Sequence, residues 1–120
     1  MFLMAAPDDA PLCCPPLAAT PLDEGRATEL AAALKALADP VRLRLLSIIA
    51  TAPTGEICAC DLPALLDRSQ PTISHHLSQL LKAGVVEREQ RGKWAWFRLR
   101  PDQLDSLSDF LSIESAPTSA

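Results

Sequence analysis

The sequence predicts a mainly α-helical domain that carries a single β-hairpin. Apolar residues recur at the spacing of helix turns between residues 23 and 83, and again from Pro101 onward. Between these stretches, residues 85–99 alternate between apolar and polar side chains, which is the period of a strand. The 120 residues are enough for one domain, and with 48 % hydrophobic but only 4 % aromatic residues its core must be mostly aliphatic.

Residues 1–22 are predicted to be a flexible, extended arm. Five prolines exclude a long helix there: Pro7, Pro11, Pro15, Pro16 and Pro21. The arm also carries Cys13-Cys14, two of the four cysteines in the chain. Residues 114–120 at the other end are expected to be disordered, so the folded domain should span residues 23–113.

Two helices are predicted in the first half of this domain. The first begins near Asp23 and places Leu30, Leu34 and Leu37 on one stripe. Asp39 is suited to cap the second helix, and Pro40 suits its first turn. In the second helix Arg42 and Arg44 should point outward. Its core-facing residues should be Val41, Leu45, Ile48 and Ile49.

A helix-turn-helix is predicted over about residues 61–83. Asp61 is expected to cap a short helix that runs to Leu66, and residues 67–70 should form a turn. A second helix then begins at Gln70-Pro71 and ends before Gly84. The apolar residues that cluster on one side of it are Ile73, Leu77, Leu80 and Leu81.

The opposite face of this second helix has hydrogen-bonding groups and a cation, but no carboxylate. That composition is typical of a helix that reads the major groove of DNA. The alternative is an ordinary solvated face, on which Glu or Asp would be expected. The residues predicted to contact DNA here are Gln70, Thr72, Ser74, His75, Ser78, Gln79 and Lys82. His76 lies nearer the apolar boundary and is expected to have a hydrogen-bonded structural role.

The alternating residues 85–99 are predicted to form a hairpin that turns at Arg91-Gly92. Ala95, Phe97 and Leu99 should share one face, and Trp94, Trp96 and Arg98 the other. A hairpin directly after a reading helix is a wing, which makes the predicted fold a winged helix-turn-helix. Arg91 and Lys93 at its basic tip are expected to contact phosphate or the minor groove.

The distribution of charge supports a DNA-binding surface although the formal net charge is −4. Residues 1–30 carry one arginine against five acidic residues, whereas residues 82–100 carry six basic residues against two acidic ones. The positive charge is therefore local. Local charge is what a phosphate backbone senses within a Debye length of about 10 Å.

A symmetric homodimer is predicted from the first and last helices. Each presents a narrow apolar seam that a chain this small would use between subunits. The residues assigned to this dimer interface are Leu30, Leu34, Leu37, Leu104, Leu107, Phe110 and Leu111. A symmetric dimer would match the two half-sites of a palindromic double-stranded DNA operator.

Composition excludes several other classes of protein. No basic segment followed by an apolar run opens the chain, and no stretch approaches the roughly 20 apolar residues that span a bilayer, so a cytoplasmic protein without membrane contact is expected. An enzyme is not expected, because no phosphate-binding loop and no nucleophile with an evident base occur. In a reducing compartment the four cysteines are more typical of metal binding or reactivity than of disulfides.

The chain resembles the ArsR/SmtB family of metal-responsive repressors over roughly residues 24–111. The motifs that carry the resemblance are Ala36-Leu37-Ala38-Asp39-Pro40-Val41-Arg42-Leu43-Arg44-Leu45-Leu46, Ile57-Cys58-Ala59-Cys60-Asp61-Leu62, Ser69-Gln70-Pro71-Thr72-Ile73-Ser74-His75-His76-Leu77 and the wing with Gly92. The resemblance implies a dimeric winged helix that represses its own operon. It also implies release from DNA when a metal or metalloid binds.

Cys58-Ala59-Cys60 resembles the metal-binding box of the arsenite and cadmium/lead sensors of this family. Arsenite sensors often have a further cysteine where this chain has Pro63, and the arm cysteines Cys13 and Cys14 are a possible replacement. Other members sense zinc through Asp and His of the last helix. That helix has no histidine here, so the zinc site is expected to be absent.

Cys13, Cys14, Cys58 and Cys60 are therefore the candidate metal ligands. Thiolates select soft ions. Arsenite or antimonite takes three thiolates and cadmium commonly takes four, so four cysteines permit either kind of site. Arsenite is the favoured inducer, and antimonite, cadmium and lead are the alternatives. Three other interpretations stay open: a thiol redox sensor, a structural zinc site, and a Cys58/Cys60 pair that only fills the core.

Overall fold

Residues 17–113 are described in a computed structural model of the chain. This range contains five α-helices and a small antiparallel sheet. The helices are α1 (Glu24–Leu37), α2 (Pro40–Thr51), α3 (Leu62–Leu66), α4 (Gln70–Lys82) and α5 (Pro101–Leu111). The strands are β1 (Glu56–Cys58), β2 (Val86–Arg91) and β3 (Trp94–Leu99). This architecture confirms the prediction of a winged helix-turn-helix.

The predictions for most of the arm and for the tail lie outside the described residues, and so do Cys13 and Cys14. Residues 17–20, which belong to the predicted arm, form a turn. The backbone N–H of Leu17 donates a hydrogen bond to the carbonyl of Phe110 at 2.8 Å. Within residues 17–113, no helix combines the length and the apolar character that a bilayer crossing requires.

Helix α2 begins as its sequence predicts. The Asp39 carboxylate accepts hydrogen bonds from the backbone amides of Val41 at 2.8 Å and Arg42 at 3.2 Å, and Pro40 occupies the first turn. Arg42, however, does not point outward as expected. It is partly buried, and its Nη1 donates to the carbonyl of Ala36 at 3.1 Å, because the start of α2 folds back on the end of α1.

The sheet has a strand that the alternating pattern did not reveal. Its order is β1-β3-β2, so the predicted hairpin of β2 and β3 gains β1 as a third, antiparallel strand. The register pairs Glu56 with Arg98, and Cys58 with Trp96. Three residues are too few to show a period of two, which explains why β1 was not predicted.

Residues 32–100 form one compact unit with an aliphatic core, as the composition predicts. The largest side chains with less than 2 % exposure are Leu45, Ile49, Leu62, Leu66, Ile73, Leu80, Val85 and Val86. They come from α2, α3, α4 and the entry to β2. The helix-turn-helix and the sheet therefore share a single core.

Among the described residues, a second unit contains residues 17–31 together with residues 101–113. Three residues assigned to the dimer interface are buried within the protomer: Leu30 is 2 % exposed, and Leu107 and Phe110 are each 4 % exposed. Each protomer already covers these three residues, and their place in a dimer interface stays a prediction. Leu111 remains 50 % exposed, and Leu34, Leu37 and Leu104 are partly exposed, so these four stay candidates for subunit contact.

Candidate DNA-binding surface and thiol pair

The turn between α3 and α4 is built by local interactions. Asp67 ends α3 in the left-handed region at φ 55°, and the N–H of Arg68 donates to the carbonyl of Pro63 at 3.2 Å. Ser69 then caps α4 by accepting a hydrogen bond from the N–H of Thr72 at 3.3 Å. The predicted cap on α3 is wrong, because Asp61 makes no side-chain capping bond and has helical φ and ψ.

Helix α4 ends where Gly84 predicts. The N–H of Gly84, at φ 78°, donates to the carbonyl of Leu81 at 3.0 Å, and the N–H of Val85 donates to that of Leu80 at 3.3 Å. This pair of bonds is a Schellman motif, which requires a left-handed residue that glycine adopts without strain. It turns the chain directly into β2 and fixes the hairpin beside α4.

The polar face of α4 is exposed. Gln70, Ser74, His75, Ser78 and Lys82 are open to solvent, whereas Gln79 is half-buried. Thr72 is also exposed, but its hydroxyl accepts a hydrogen bond from the Ser69 hydroxyl at 2.9 Å. The face thus holds donors, acceptors and one lysine in positions that a DNA base edge or phosphate could reach.

One residue on the opposite side of α4 departs from its prediction. Ile73, Leu77 and Leu80 are buried as expected, but Leu81 is 39 % exposed. The helical period places Leu81 at the edge of the apolar stripe, and the hairpin does not cover it. Leu81 is instead one wall of a groove between α4 and the hairpin.

His76 links α4 to α2. Its Nδ1 accepts a hydrogen bond from Nε of Arg42 at 3.1 Å and lies 3.9 Å from the carboxylate of Asp39. The predicted structural role of His76 is confirmed by these contacts. Partial desolvation alone would raise the pKa of Asp39, but hydrogen bonds from the backbone amides of Arg42 and Val41, together with electrostatic interactions with His76 and Arg42, outweigh it and lower that pKa.

The hairpin tip is formed by Gly92 and Lys93, with Gly92 at φ 63°. Arg91, predicted to contact DNA from this tip, donates from Nη2 to Glu56 and to Glu89, each at 2.8 Å. Its guanidinium also lies 4.7 Å from the centroid of the Trp96 ring. Arg91 is therefore held within the sheet by two carboxylates, and phosphate contact would require those pairs to open.

These ion pairs belong to a network on one face of the sheet. Arg98 contacts Glu87 at 3.2 Å, and Glu56 and Glu89 at 3.3 Å each. Hydrogen bonds from Arg91 and then Arg98 lower the pKa of Glu89, while hydrogen bonds to Glu89 and Glu56 raise the pKa of Arg91. With three carboxylates against two guanidinium groups, this face is a poor surface for DNA.

Arg88 lies on the other face of the hairpin and was not among the predicted contacts. Arg88 is the cross-strand neighbour of Phe97. Its Nη2 donates a hydrogen bond to Oε1 of Gln90 at 2.6 Å, and within residues 17–113 its guanidinium has no carboxylate partner. Lys93 likewise has no carboxylate partner in that range, and its Nζ lies 6.0 Å from the Trp94 ring. Strand alternation applied to β2, which separates Arg88 from Glu87 and Glu89, would have found it.

Cys58 and Cys60 are brought together by a tight turn rather than by an extended chain. Cys58 ends β1, Cys60 lies in the 3-10 turn Ala59–Asp61, and the N–H of Cys60 donates to Sγ of Cys58 at 3.1 Å. Their Cα atoms are 5.1 Å apart, and their sulfurs are joined in a disulfide. This differs from the expectation of free thiolates on one side of an extended segment.

The two cysteines differ in exposure. Cys58 is 3 % exposed, whereas Cys60 is open to solvent. A core-filling role thus fits Cys58 but not Cys60. In the part of the chain that the structure describes, no three side chains from His, Cys, Asp and Glu form a group that could hold a metal ion. A site with three or more protein ligands on this pair would therefore need a ligand from outside residues 17–113 of the same subunit.

The fold and this surface define a winged helix-turn-helix regulator. Residues 39–88 match the family model described as "Bacterial regulatory protein, arsR family". A biofilm growth-associated repressor of Agrobacterium fabrum is 41 % identical over 98 residues, which cover 81 % of each chain. The chain therefore belongs to the ArsR family of regulatory proteins, and it is not an enzyme.

Two further relatives bear on its role. The arsenic resistance transcriptional regulator ArsR1 of Pseudomonas putida is 44 % identical over 68 residues, 57 % of this chain; the chain spans only 52 % of that relative. The solution structure of a homodimeric winged helix-turn-helix DNA-binding domain from Mycobacterium bovis is 26 % identical, with a TM-score of 0.61, covering 75 % of this chain and 83 % of that one.

Proposed function

We propose that this chain is a dimeric repressor of an arsenic-resistance operon that leaves its operator when arsenite or antimonite binds cysteine thiolates. The observation that carries the proposal is the position of the thiol pair. Cys58 and Cys60 bring their sulfurs together in the turn directly before α3, the first helix of the helix-turn-helix. A ligand on that pair would act within a few residues of the DNA-binding surface.

The DNA-binding part of the proposal rests on α4 and the hairpin. The exposed face of α4 offers amide, hydroxyl, imidazole and ammonium groups without a carboxylate. Arg88 and Lys93 add two cations with no carboxylate partner among residues 17–113. In a homodimer two such surfaces would meet two half-sites of a palindromic operator about one helical turn apart.

The ligand part of the proposal follows from sulfur chemistry. Once a thiol or phosphine reductant has converted the disulfide to two thiols, Cys58 and Cys60 supply two soft ligands of the kind that arsenite, antimonite, cadmium and lead prefer. Each As–S bond replaces an As–OH bond, and the thiol proton leaves with the hydroxide as water. Arsenite needs three such bonds, so Cys13 or Cys14 would supply the third. Four sulfurs would suit cadmium or lead.

A typical allosteric coupling of about 1–3 kcal/mol would suffice for release, since it changes affinity for DNA by roughly 5- to 150-fold. Ala59, between the two cysteines, is 8 % exposed and contributes to the groove beside α4. A rearrangement of the thiol pair on ligand binding would therefore shift Ala59 and change the shape of the DNA-binding surface. By reciprocity, operator DNA would weaken arsenite binding by the same factor.

The Cys58–Cys60 disulfide favours a second candidate, a thiol redox sensor. A peroxide would oxidise the exposed Cys60 thiolate to a sulfenic acid and release water or an alcohol. The Cys58 thiolate would then displace hydroxide from that sulfur, which forms the disulfide and a second water. In this case DNA affinity would follow the peroxide and would not need a metalloid.

Operator binding by fluorescence anisotropy tests both candidates. The fully reduced protein is titrated onto DNA from upstream of its own gene, in a phosphine reductant, with arsenite, antimonite, cadmium, lead or zinc. We expect arsenite and antimonite to release the DNA, and the Ser variants of Cys58 and Cys60 to resist release. Cys13→Ser and Cys14→Ser are tested in parallel, and if arsenite released DNA from all four single Cys→Ser variants as it does from the parent, the metalloid site would be contradicted. Release by hydrogen peroxide alone would favour the redox sensor.

A further inference from the structure

The groove between α4 and the hairpin has the properties of a small-molecule site. It has a volume of about 530 Å³ and lies entirely within residues 32–100. That volume falls in the range of roughly 300–1,000 Å³ that ligand pockets occupy. Its position matters because residues of the proposed DNA-binding face form one of its walls.

The inner surface of the groove is apolar. Leu77 and Phe97 are buried at its base, 4 % and 5 % exposed, and Ala59 completes it. Leu81 and Trp94 form its walls and remain 39 % and 48 % exposed. Leu81 therefore leaves apolar surface open to solvent at the edge of the groove, and the ring of Phe97 lies at the base, which together favour a planar apolar group.

The rim of the groove is cationic. Arg88 and Lys93 lie on the hairpin side, and none of the side chains that line the groove carries a carboxylate. The protein has a net charge of −4, and the nearby Arg91 and Arg98 are engaged by glutamates. Arg88 and Lys93, which have no carboxylate partner among the described residues, lie around an apolar concavity and complement a ligand with one apolar end and one anionic end.

The polar side chains on the α4 side complete this pattern. Gln70, Ser74 and Ser78 line the groove with donors and acceptors and no opposing negative charge. A guanidinium can bind a carboxylate through two parallel hydrogen bonds. Phosphate contacts of DNA need cations and N–H groups but not the leucine and tryptophan walls, so the apolar surface specifically favours an amphipathic ligand.

We propose that this groove binds a small aromatic carboxylate or sulfonate, with the anionic group between Arg88 and Lys93 and the ring against Leu81 and Phe97. Such a ligand would occupy the space beside Gln70, Ser74 and Ser78 and would compete with DNA. The competition, but not the binding itself, rests on the proposed function. The regulator would then respond to an organic anion at a site separate from its cysteines.

The binding arm of the test uses no DNA and no arsenite. The reduced full-length chain is titrated with 8-anilinonaphthalene-1-sulfonate in moderate salt, and fluorescence gives the Kd and stoichiometry. N-phenyl-1-naphthylamine, which has the same rings without the sulfonate, is the matched neutral probe. We expect one site per protomer and an affinity for the neutral probe that is lower by about tenfold, the loss typical of one hydrogen-bonded charge contact.

Matched variants locate the site. Arg88→Gln should weaken sulfonate binding about tenfold, whereas Arg98→Gln, which removes the same charge from the opposite face of the sheet, should not. Leu81→Asn should weaken both probes, because it removes an exposed apolar wall without opening the core. Absence of saturable binding, equal affinity for the two probes, or unchanged binding in Arg88→Gln and Leu81→Asn would overturn the proposal.

A competition arm separates this inference from the proposed function. Operator DNA should displace the bound sulfonate, and the sulfonate should lower the anisotropy of labelled operator. If the variants behave as expected but no DNA binds, the groove is an anion site and the proposed DNA-binding function is wrong. If DNA binds normally and the variants leave sulfonate binding unchanged, the groove proposal is wrong and the proposed function stands.

Discussion

Exchanging single arginines on the two faces of the hairpin would reveal which face meets DNA. Arg88 has no carboxylate partner among residues 17–113, whereas Arg91 is paired with Glu56 and Glu89 at 2.8 Å each. We therefore expect Arg88→Gln to remove a phosphate contact from each protomer. Arg91→Gln would remove a cation that the sheet already neutralises.

The magnitude follows from counterion release. Each phosphate contact contributes about −0.9 to the slope of log K against log salt, so losing one contact per protomer should reduce the slope of a dimer by about 1.8. Between about 50 and 200 mM salt, the affinity advantage of the parent over Arg88→Gln should then shrink roughly tenfold. The assay is anisotropy of labelled operator at four or five salt concentrations.

A double variant controls for net charge. Glu89→Gln with Arg91→Gln removes an ion pair and leaves the net charge unchanged, so its slope should match the parent. The opposite result is that Arg91→Gln lowers the salt slope by about 1.8 and Arg88→Gln leaves the slope unchanged. That result would mean that phosphate displaces Glu56 and Glu89 from Arg91. The inference that paired arginines do not contact DNA would then be refuted.

Three further predictions concern stability. Leu80→Ala should lower the free energy of unfolding by about 2–5 kcal/mol, because Leu80 is 0 % exposed. Leu81→Ala should lower it by much less, since Leu81 is 39 % exposed, and urea denaturation measures both changes. Ser69→Ala should cost about 1 kcal/mol through loss of the α4 cap, measured in the same way. The pKa of Asp39 lies below its usual value of 3.8, so its stabilising effect should be complete above that pH and be lost as the pH falls through the lower folded value. Thermal unfolding of Asp39→Asn should accordingly show a weaker dependence on acid pH than the parent, and an equal dependence would contradict the assigned cause.

Positions whose conformation depends on near neighbours in the chain were predictable. The cap at Asp39, the glycine stop at Gly84 and the hairpin turn at Gly92 all follow from backbone and side-chain preferences within a few residues. The apolar face of α4 was likewise evident from its helical period. The exception, Leu81, lies at the edge of that stripe, where exposure depends on whether another element covers it.

The candidate site was predicted only in part for the same reason. The four cysteines and the polar face of α4 are evident from composition and spacing, and so are the basic residues of the hairpin. Which of these basic residues pairs with a carboxylate is not evident from the sequence. Arg91 contacts Glu56, which is 35 positions away in sequence, because β1 joins the sheet beside β3. Strand β1 is too short for its alternation to be recognised in the sequence.

What the sequence determined by itself was the fold class, the family and the order of the helices and of the two hairpin strands, because helix periods, caps and turns depend on contacts between residues close along the chain. The tertiary structure alone decided which cations stay available, which leucines are left exposed, and how Cys58 and Cys60 meet. Those outcomes depend on strand register and on which faces pack together, and both are set by contacts between residues that are far apart in the chain.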